Sequence, residues 1–222
     1  MTKFLQYYPR ANITGGAGTG KTVVAKELAI QFSDQGLETL FLCFNKALGD
    51  QLRRHCAHNE RITAGSYHSF FTRLLRQSTN DYEEEAKNAY PKSDYWNVVL
   101  PYAYVLASEA SPKRYDAIII DEAQDLSAES WMAIEELLND ETSKFFTFSD
   151  TNQRFYSRIN SIPELSLPFI LYSNCRNTKN IHEAAYKDYT GPKIEPPPIQ
   201  GEPVQVCDDT GIPGQLTFIT RT

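Results

Sequence analysis

Apolar positions along this chain fall in short, nearly unbroken runs separated by segments of helical spacing. The runs are "ANIT" (11–14), "TLFLCF" (39–44), "RITAG" (61–65), "DAIII" (116–120), "KFFTFS" (144–149) and "PFILY" (168–172), and each reads as a strand. Between them, residues 20–33 carry Val24, Leu28 and Phe32 four apart, which predicts a helix. Further helices are predicted through Leu48 and Leu52, over 67–77, over 128–139 with Trp131, Ile134 and Leu138 inward, and over 178–189, where Gly191 can end the last one. Strands that are apolar throughout and alternate with helices argue for an α/β fold: a parallel sheet with helices on both faces.

Two stretches break this rhythm. Residues 79–113 combine "DYEEE" with a helical pattern rich in aromatics (Tyr90, Tyr95, Trp96, Tyr102, Tyr104). They read as a small helical insertion beside the sheet, with the tyrosines as core rather than as a nucleic-acid platform. Residues 192–203, "PKIEPPPIQGEP", read as a proline-rich, extended linker. Residues 204–222 read as the start of a second domain, too short to fold alone.

Bulk properties narrow the class. The 222 residues are 41% apolar and 23% charged, an ordinary globular composition. No run approaches the roughly 18 apolar residues of a membrane span. The opening "MTKFLQYYPR" lacks the apolar centre of a signal peptide. A cytoplasmic protein without a membrane partner is expected. Cys43, Cys56, Cys175 and Cys207 are scattered, which fits reduced thiols. His55, Cys56 and His58 stand close together but read as a polar helix end rather than a zinc site. The net charge of −6 is unevenly spread. Residues 1–76 carry ten Lys/Arg against five Asp/Glu, and residues 77–222 carry twelve against twenty-three. A basic front half can hold a phosphate backbone locally.

The chemistry begins with "GGAGTGKT" at 15–22. Gly15, Gly20, Lys21 and Thr22 match G-x-x-x-x-G-K-[ST], with Gly16, Ala17, Gly18 and Thr19 between them. Glycines let successive N–H groups converge on one anion, and the following helix adds its N-terminal partial charge. Lys21 would reach the β- and γ-phosphates, and Thr22 would ligate Mg²⁺. A strand before and a helix after give the pattern the context it requires. Then comes "IIIDEAQDL" at 118–126. Its strand delivers Asp121 to the ligand edge of the sheet, where a P-loop ATPase needs a carboxylate for Mg²⁺. Glu122 follows and can orient and deprotonate a water.

The phosphate loop and "DEAQD" together resemble superfamily 1 helicases of the UvrD/Rep type. Four more segments are similar to that family's motifs, in order: "FLCFNKALGDQL" (41–52), "TAGSYHSF" (63–70), "FSDTNQRFY" (148–156) and "LYSNCRNT" (171–178). The phrase "YDAIIIDEAQD" looks most like UvrD-like ATPases linked to nuclease-related domains. The resemblance implies a RecA-like P-loop NTPase domain over 1–191, binding ATP and Mg²⁺ and gripping single-stranded DNA. It implies that Asn45, Lys46 and His68 hold nucleic-acid phosphates, that Phe44 or Tyr67 offers a base face, and that Tyr156 stacks on DNA. Gln153 would sense the γ-phosphate and Arg176 would stabilise its charge. Gln124 would tie the Mg²⁺ carboxylates to neighbouring motifs, a task for a group that both donates and accepts. Tyr67 and Phe70 also fit core positions, Tyr156 an ordinary packed loop, and Arg176 a pairing with an acidic surface.

The sequence departs from the family at the adenine pocket. Val23 stands where members carry Arg, and Cys175 where they carry Tyr. Gln6 lies too near the phosphate loop to be the family's adenine-reading glutamine. The motifs of a second RecA-like lobe are absent, so a missing C-terminal lobe or a partner chain is expected to complete the motor. The resulting expectation is the ATP-hydrolysing lobe of a single-stranded-DNA helicase or translocase. A regulatory ATP-binding module without motor activity is the alternative. A P-loop phosphotransferase would leave Gln124 and Gln153 without a purpose.

Overall fold

The computed structural model describes residues 2–5, 7–150, 168–187 and 193–204. Six strands form one parallel sheet: β1 (Arg10–Gly15), β2 (Thr39–Cys43), β3 (Ile62–Ser66), β4 (Ala117–Asp121), β5 (Lys144–Ser149) and β6 (Pro168–Leu171), in the order β3-β2-β4-β5-β1-β6. Every apolar run became a strand, and the central ones are buried on both faces. In β2 and β4 all five residues are buried. Alternation then splits the core. Leu40, Leu42, Ile118, Ile120 and Phe145 point to one side, and Phe41, Cys43, Ile119, Phe146 and Phe148 to the other.

Helices cover both faces. α1 (Thr2–Leu5) lies at the start of the chain, and α2 (Lys21–Asp34) and α3 (Lys46–Cys56) pack over the second set. α4 (Tyr67–Gln77), α6 (Leu100–Glu109) and α7 (Ala128–Glu135) pack over the first. α5 (Tyr82–Ala89) and a π-helical turn over Tyr95–Val99 lead into α6, and α8 (Lys179–Ala185) follows β6. The stretch 79–113 is helical as expected, yet α6 is no peripheral addition. Leu100, Tyr104 and Val105 join the sheet core, and Tyr104 stacks on Phe71 at 5.0 Å.

Residues 193–204 are extended, but they are docked rather than free. Ser173 and Glu195 form a parallel bridge, Asn174 N–H donates to Glu195 O at 3.0 Å, and Lys179 N–H donates to Ile199 O at 2.8 Å. Ile194 is buried. Gly191 and residues 205–222 lie outside the described residues. Among the described residues no helix is long and apolar enough to cross a membrane.

Strand order decides what meets at the ligand edge. β5 separates β1, which feeds the phosphate loop, from β4, which carries Asp121. The residue after β5, Asp150, therefore emerges between the two.

Candidate nucleotide-binding and hydrolysis site

The loop from Gly15 to Gly20 turns back on itself through two left-handed glycines, Gly18 (φ 82°) and Gly20 (φ 87°). Gly15 is tight for another reason: a Cβ there would meet Thr19 Oγ1 at 2.5 Å and Leu171 Cβ at 3.0 Å. Thr19 braces the turn by donating its hydroxyl to Gly16 O at 2.8 Å. Lys21 is buried, and its ammonium gathers three oxygens: Gly15 O at 2.9 Å, Gly16 O at 3.2 Å and Asp150 Oδ2 at 3.4 Å. Those oxygens occupy the donors that a phosphate would take.

Across the strand order, Thr22 Oγ1 donates to Asp121 Oδ2 at 2.6 Å. Asp121 is fully buried, and its carboxyl is pushed up to about 6. Burial is the main cause and the neighbouring Glu122 charge adds to it, while the Thr22 hydroxyl opposes. A buried carboxylate so disfavoured is a group in want of a cation. Thr22 and Asp121 together fit Mg²⁺, which takes one or two protein oxygens and completes its shell with phosphate and water. No cage of three or more acidic, His or Cys ligands exists among the described residues, as that mode of binding requires none.

Glu122 is the one non-glycine residue with positive φ among those described (φ 54°, ψ 43°). That conformation costs about 1–2 kcal/mol, less than burying one of the strand phenylalanines returns at about 2–3 kcal/mol. It turns the chain sharply after Asp121 and presents the Glu122 side chain at the strand end. Gln124 Nε2 donates to Glu122 Oε2 at 2.7 Å, and Gln124 Oε1 accepts the Asp150 N–H at 3.1 Å. A continuous path thus runs Lys21–Asp150–Gln124–Glu122. The sequence pointed to Gln124 as a tie, but the ion pair between Lys21 and Asp150 depends on the strand order. Behind the site, burial and the carboxylates of Asp121, Glu122 and Asp50 push the Cys43 thiol up to about 12, so it is no nucleophile.

Of the residues expected to touch nucleic acid, Phe44, Asn45, Lys46 and His68 gather at the same edge of the sheet. Phe44 and His68 rings meet edge to face at 5.7 Å, with His68 exposed and Phe44 half-buried. Asn45 caps α3, its side chain accepting from Leu48 N–H at 3.1 Å, and Lys46 is exposed. Tyr67 is a correction. It is 2% exposed, wedged against Phe71 and Tyr104, so no base can reach its ring. It is the first residue of α4, and it turns into the core because α6 supplies an aromatic wall. Gln153 and Tyr156 lie outside the described residues.

At the far side, Asn174 is buried and accepts from Arg176 N–H at 3.0 Å and Asn177 N–H at 3.2 Å. This turn holds exposed Arg176 one residue from Cys175, whose N–H donates to Gly18 O at 2.9 Å. Val23 is 71% exposed at the start of α2, and Cys175 is exposed too. Two residues went unnoticed in the sequence. Tyr186 donates its hydroxyl to Ala17 O at 2.8 Å and stacks on His182 at 4.3 Å. The available signal was the loop itself, which has two more glycines, Gly16 and Gly18, than its motif needs.

Distant likenesses exist among solved structures. AMPPCP-bound DnaA from Aquifex aeolicus is 12% identical, covering 88% of this chain and 51% of that one, with a TM-score of 0.38. The flagellar accessory protein FlaH from Methanocaldococcus jannaschii is 12% identical over 70% of this chain and 63% of that one, with a TM-score of 0.34. A DNA replication initiation factor is 14% identical over 87% and 49%, with a TM-score of 0.36. The chain thus spans about half to two thirds the length of these structures. No curated protein matches it. The assignment as an α/β P-loop NTPase domain rests on the parallel sheet, its strand order and the loop geometry. The family model for the Schlafen group 3 DNA/RNA helicase domain matches residues 11–160, and the chain belongs to that family.

Proposed function

We propose that this chain is the ATP-hydrolysing lobe of a single-stranded-DNA helicase or translocase, built on the UvrD/Rep superfamily 1 plan. The observation that carries this reading is the bonded path Lys21–Asp150–Gln124–Glu122 beside the Thr22–Asp121 pair.

In this reading Mg-ATP is the substrate. The loop N–H groups and Lys21 bind its β- and γ-phosphates, with Lys21 exchanging its three protein oxygens for phosphate oxygens. Thr22 and Asp121 would hold Mg²⁺, which when bound neutralises charge on the β- and γ-oxygens. Glu122 orients a water in line with the γ-phosphate and accepts its proton, and Gln124 fixes which carboxylate oxygen faces that water. Arg176 offers its guanidinium to the γ-phosphate, and Gln153 senses it. Val23 and Cys175 give the base apolar contact without a ring to stack on.

Phe44, Asn45, Lys46 and His68 make the nucleic-acid face, and Tyr156 is assigned to stack on DNA. Phe44 would stack on bases without regard to sequence, as a translocating motor needs. A groove lined by Phe44, Asn45, Leu48 and Gln51 on one wall and by Glu122, Gln124 and Asp125 on the other supports direct coupling of grip to hydrolysis. A second RecA-like lobe, in the same protein or a partner chain, would complete the motor.

Steady-state ATP hydrolysis with and without single-stranded DNA, beside Lys21→Ala and Glu122→Gln, tests the proposal. DNA-stimulated turnover that both substitutions abolish is expected. Hydrolysis that survives Glu122→Gln, or DNA without effect on turnover or on nucleotide affinity, would overturn it.

A further inference from the structure

Four successive carbonyls of the phosphate loop each accept a hydrogen bond. Lys21 serves Gly15 O and Gly16 O, the Tyr186 hydroxyl serves Ala17 O, and the Cys175 N–H serves Gly18 O. The consequence follows from peptide geometry. In a planar trans peptide the C=O and the next N–H point in opposite directions. Pulling the Ala17 carbonyl toward Tyr186 therefore turns the Gly18 N–H the other way, away from Tyr186. That N–H makes no hydrogen bond to a described residue and remains for an anion.

The partner that does the pulling is itself fixed. Tyr186 lies against His182, ring planes 21° apart. His182 is buried, and its Nδ1 stands 3.2 Å from Asn174 Nδ2. Because Asn174 Oδ1 already accepts two backbone N–H groups, its amide nitrogen faces the histidine, and Nδ1 accepts. Asn174 in turn lies against Gly18, where a Cβ would meet its Oδ1 at 2.6 Å. A Cβ on Gly16 would run into the Tyr186 hydroxyl. The two glycines beyond the motif are thus the seats of Tyr186 and Asn174.

We propose that Tyr186 is a positioning residue for nucleotide phosphates, setting the Gly18 N–H before the nucleotide arrives. This rests on the nucleotide-site reading above. Preorganised N–H donors avoid a reorganisation cost at binding, so loss of the hydroxyl should appear in affinity and not in chemistry.

The test is Tyr186→Phe in the full chain, which keeps the stack on His182 and deletes one oxygen. Mg-ATP affinity is measured by calorimetry, turnover at saturating ATP, and unfolding of the nucleotide-free protein. Mg-ATP should bind roughly three- to tenfold more weakly, with kcat unchanged and the nucleotide-free unfolding midpoint lowered by no more than the loss of one hydrogen bond. Gly16→Ala, which pushes on the same hydroxyl, should weaken wild type more than it weakens Tyr186→Phe. Equal affinity of Tyr186→Phe and wild type overturns the inference, as does a lowered unfolding midpoint with unchanged affinity. Lys21→Ala separates the two levels. If it abolishes binding while Tyr186→Phe binds as wild type, only the Tyr186 role fails. If wild type binds no Mg-ATP, both readings fall.

Discussion

Gln124 holds Glu122 by an amide-to-carboxylate hydrogen bond of 2.7 Å while its own carbonyl oxygen accepts the Asp150 N–H at 3.1 Å. A carboxylate in its place could accept but not donate. Gln124→Glu keeps size and the Asp150 bond but sets two carboxylates against each other. Such supporting contacts are worth roughly 10–100-fold. The expected result is a kcat for ATP hydrolysis lowered by about that factor with KM little changed, the pattern of a contact used only in the transition state. An equal rise in KM would place Gln124 in ground-state binding instead.

Phe44 and Tyr67 separate an exposed face from a core position. Phe44→Ala should weaken single-stranded-DNA binding by roughly 5–150-fold, the value of one base–aromatic stack. Tyr67→Phe should leave that affinity unchanged. Its hydroxyl is buried and has only Ser130 near it, so removing it should change stability by no more than about 1 kcal/mol. Fluorescence-anisotropy titrations with a short oligonucleotide, together with urea unfolding, check both. DNA binding lost in Tyr67→Phe would contradict the burial seen here.

The sheet was legible in the sequence because its central strands are buried on both faces and each strand carries a short apolar run between helical segments. Each predicted run matches an observed strand to within a residue at either end. That Lys21, Thr22 and Asp121 meet at one edge of the sheet follows from the fixed placing of a phosphate loop and an acidic strand end, whereas Gln124 was singled out only through the family resemblance. What could not be read is whatever depends on non-local packing. Tyr67 turned inward because α6, some thirty residues on, supplies Tyr104. Asp150 met Lys21 because β5 lies between β1 and β4. The proline-rich stretch read as an extended linker; its pairing with Ser173 runs through backbone groups that composition does not reveal.

Gly49 is another position that only packing explains. It lies inside α3, where alanine would gain about 1 kcal/mol of helix preference. A Cβ there, however, would press on the backbone nitrogen and Cα of Ser66 in β3. Backbone cannot swing aside as a side chain can, so the overpacking cost should lie near the upper end, about 3 kcal/mol. Gly49→Ala is expected to destabilise by about 2 kcal/mol net, read as a lower urea midpoint. A neutral or raised midpoint would mean that α3 and β3 move apart freely.

Asp121 links function to pH. Its carboxyl is raised from 3.8 to about 6, chiefly by burial. The folded chain therefore binds this proton more tightly than the unfolded chain does. The contribution to stability is complete below about pH 4, where both states are protonated, and is lost as pH rises through about 6. At pH near 8 the nucleotide-free protein carries a buried, disfavoured charge, and Asp121→Asn should relieve it by about 1–3 kcal/mol. The gain should fade toward pH 4. Mg-ATP reverses the sign, because it needs the ionised carboxylate. Wild-type affinity should fall as pH drops below about 6, and the Asn variant should bind Mg-ATP poorly throughout. Thermal unfolding from about pH 4 to 8, with and without Mg-ATP, reads both effects. An Asn variant less stable than wild type near pH 8 would mean that Asp121 is held charged by a cation partner in the resting protein.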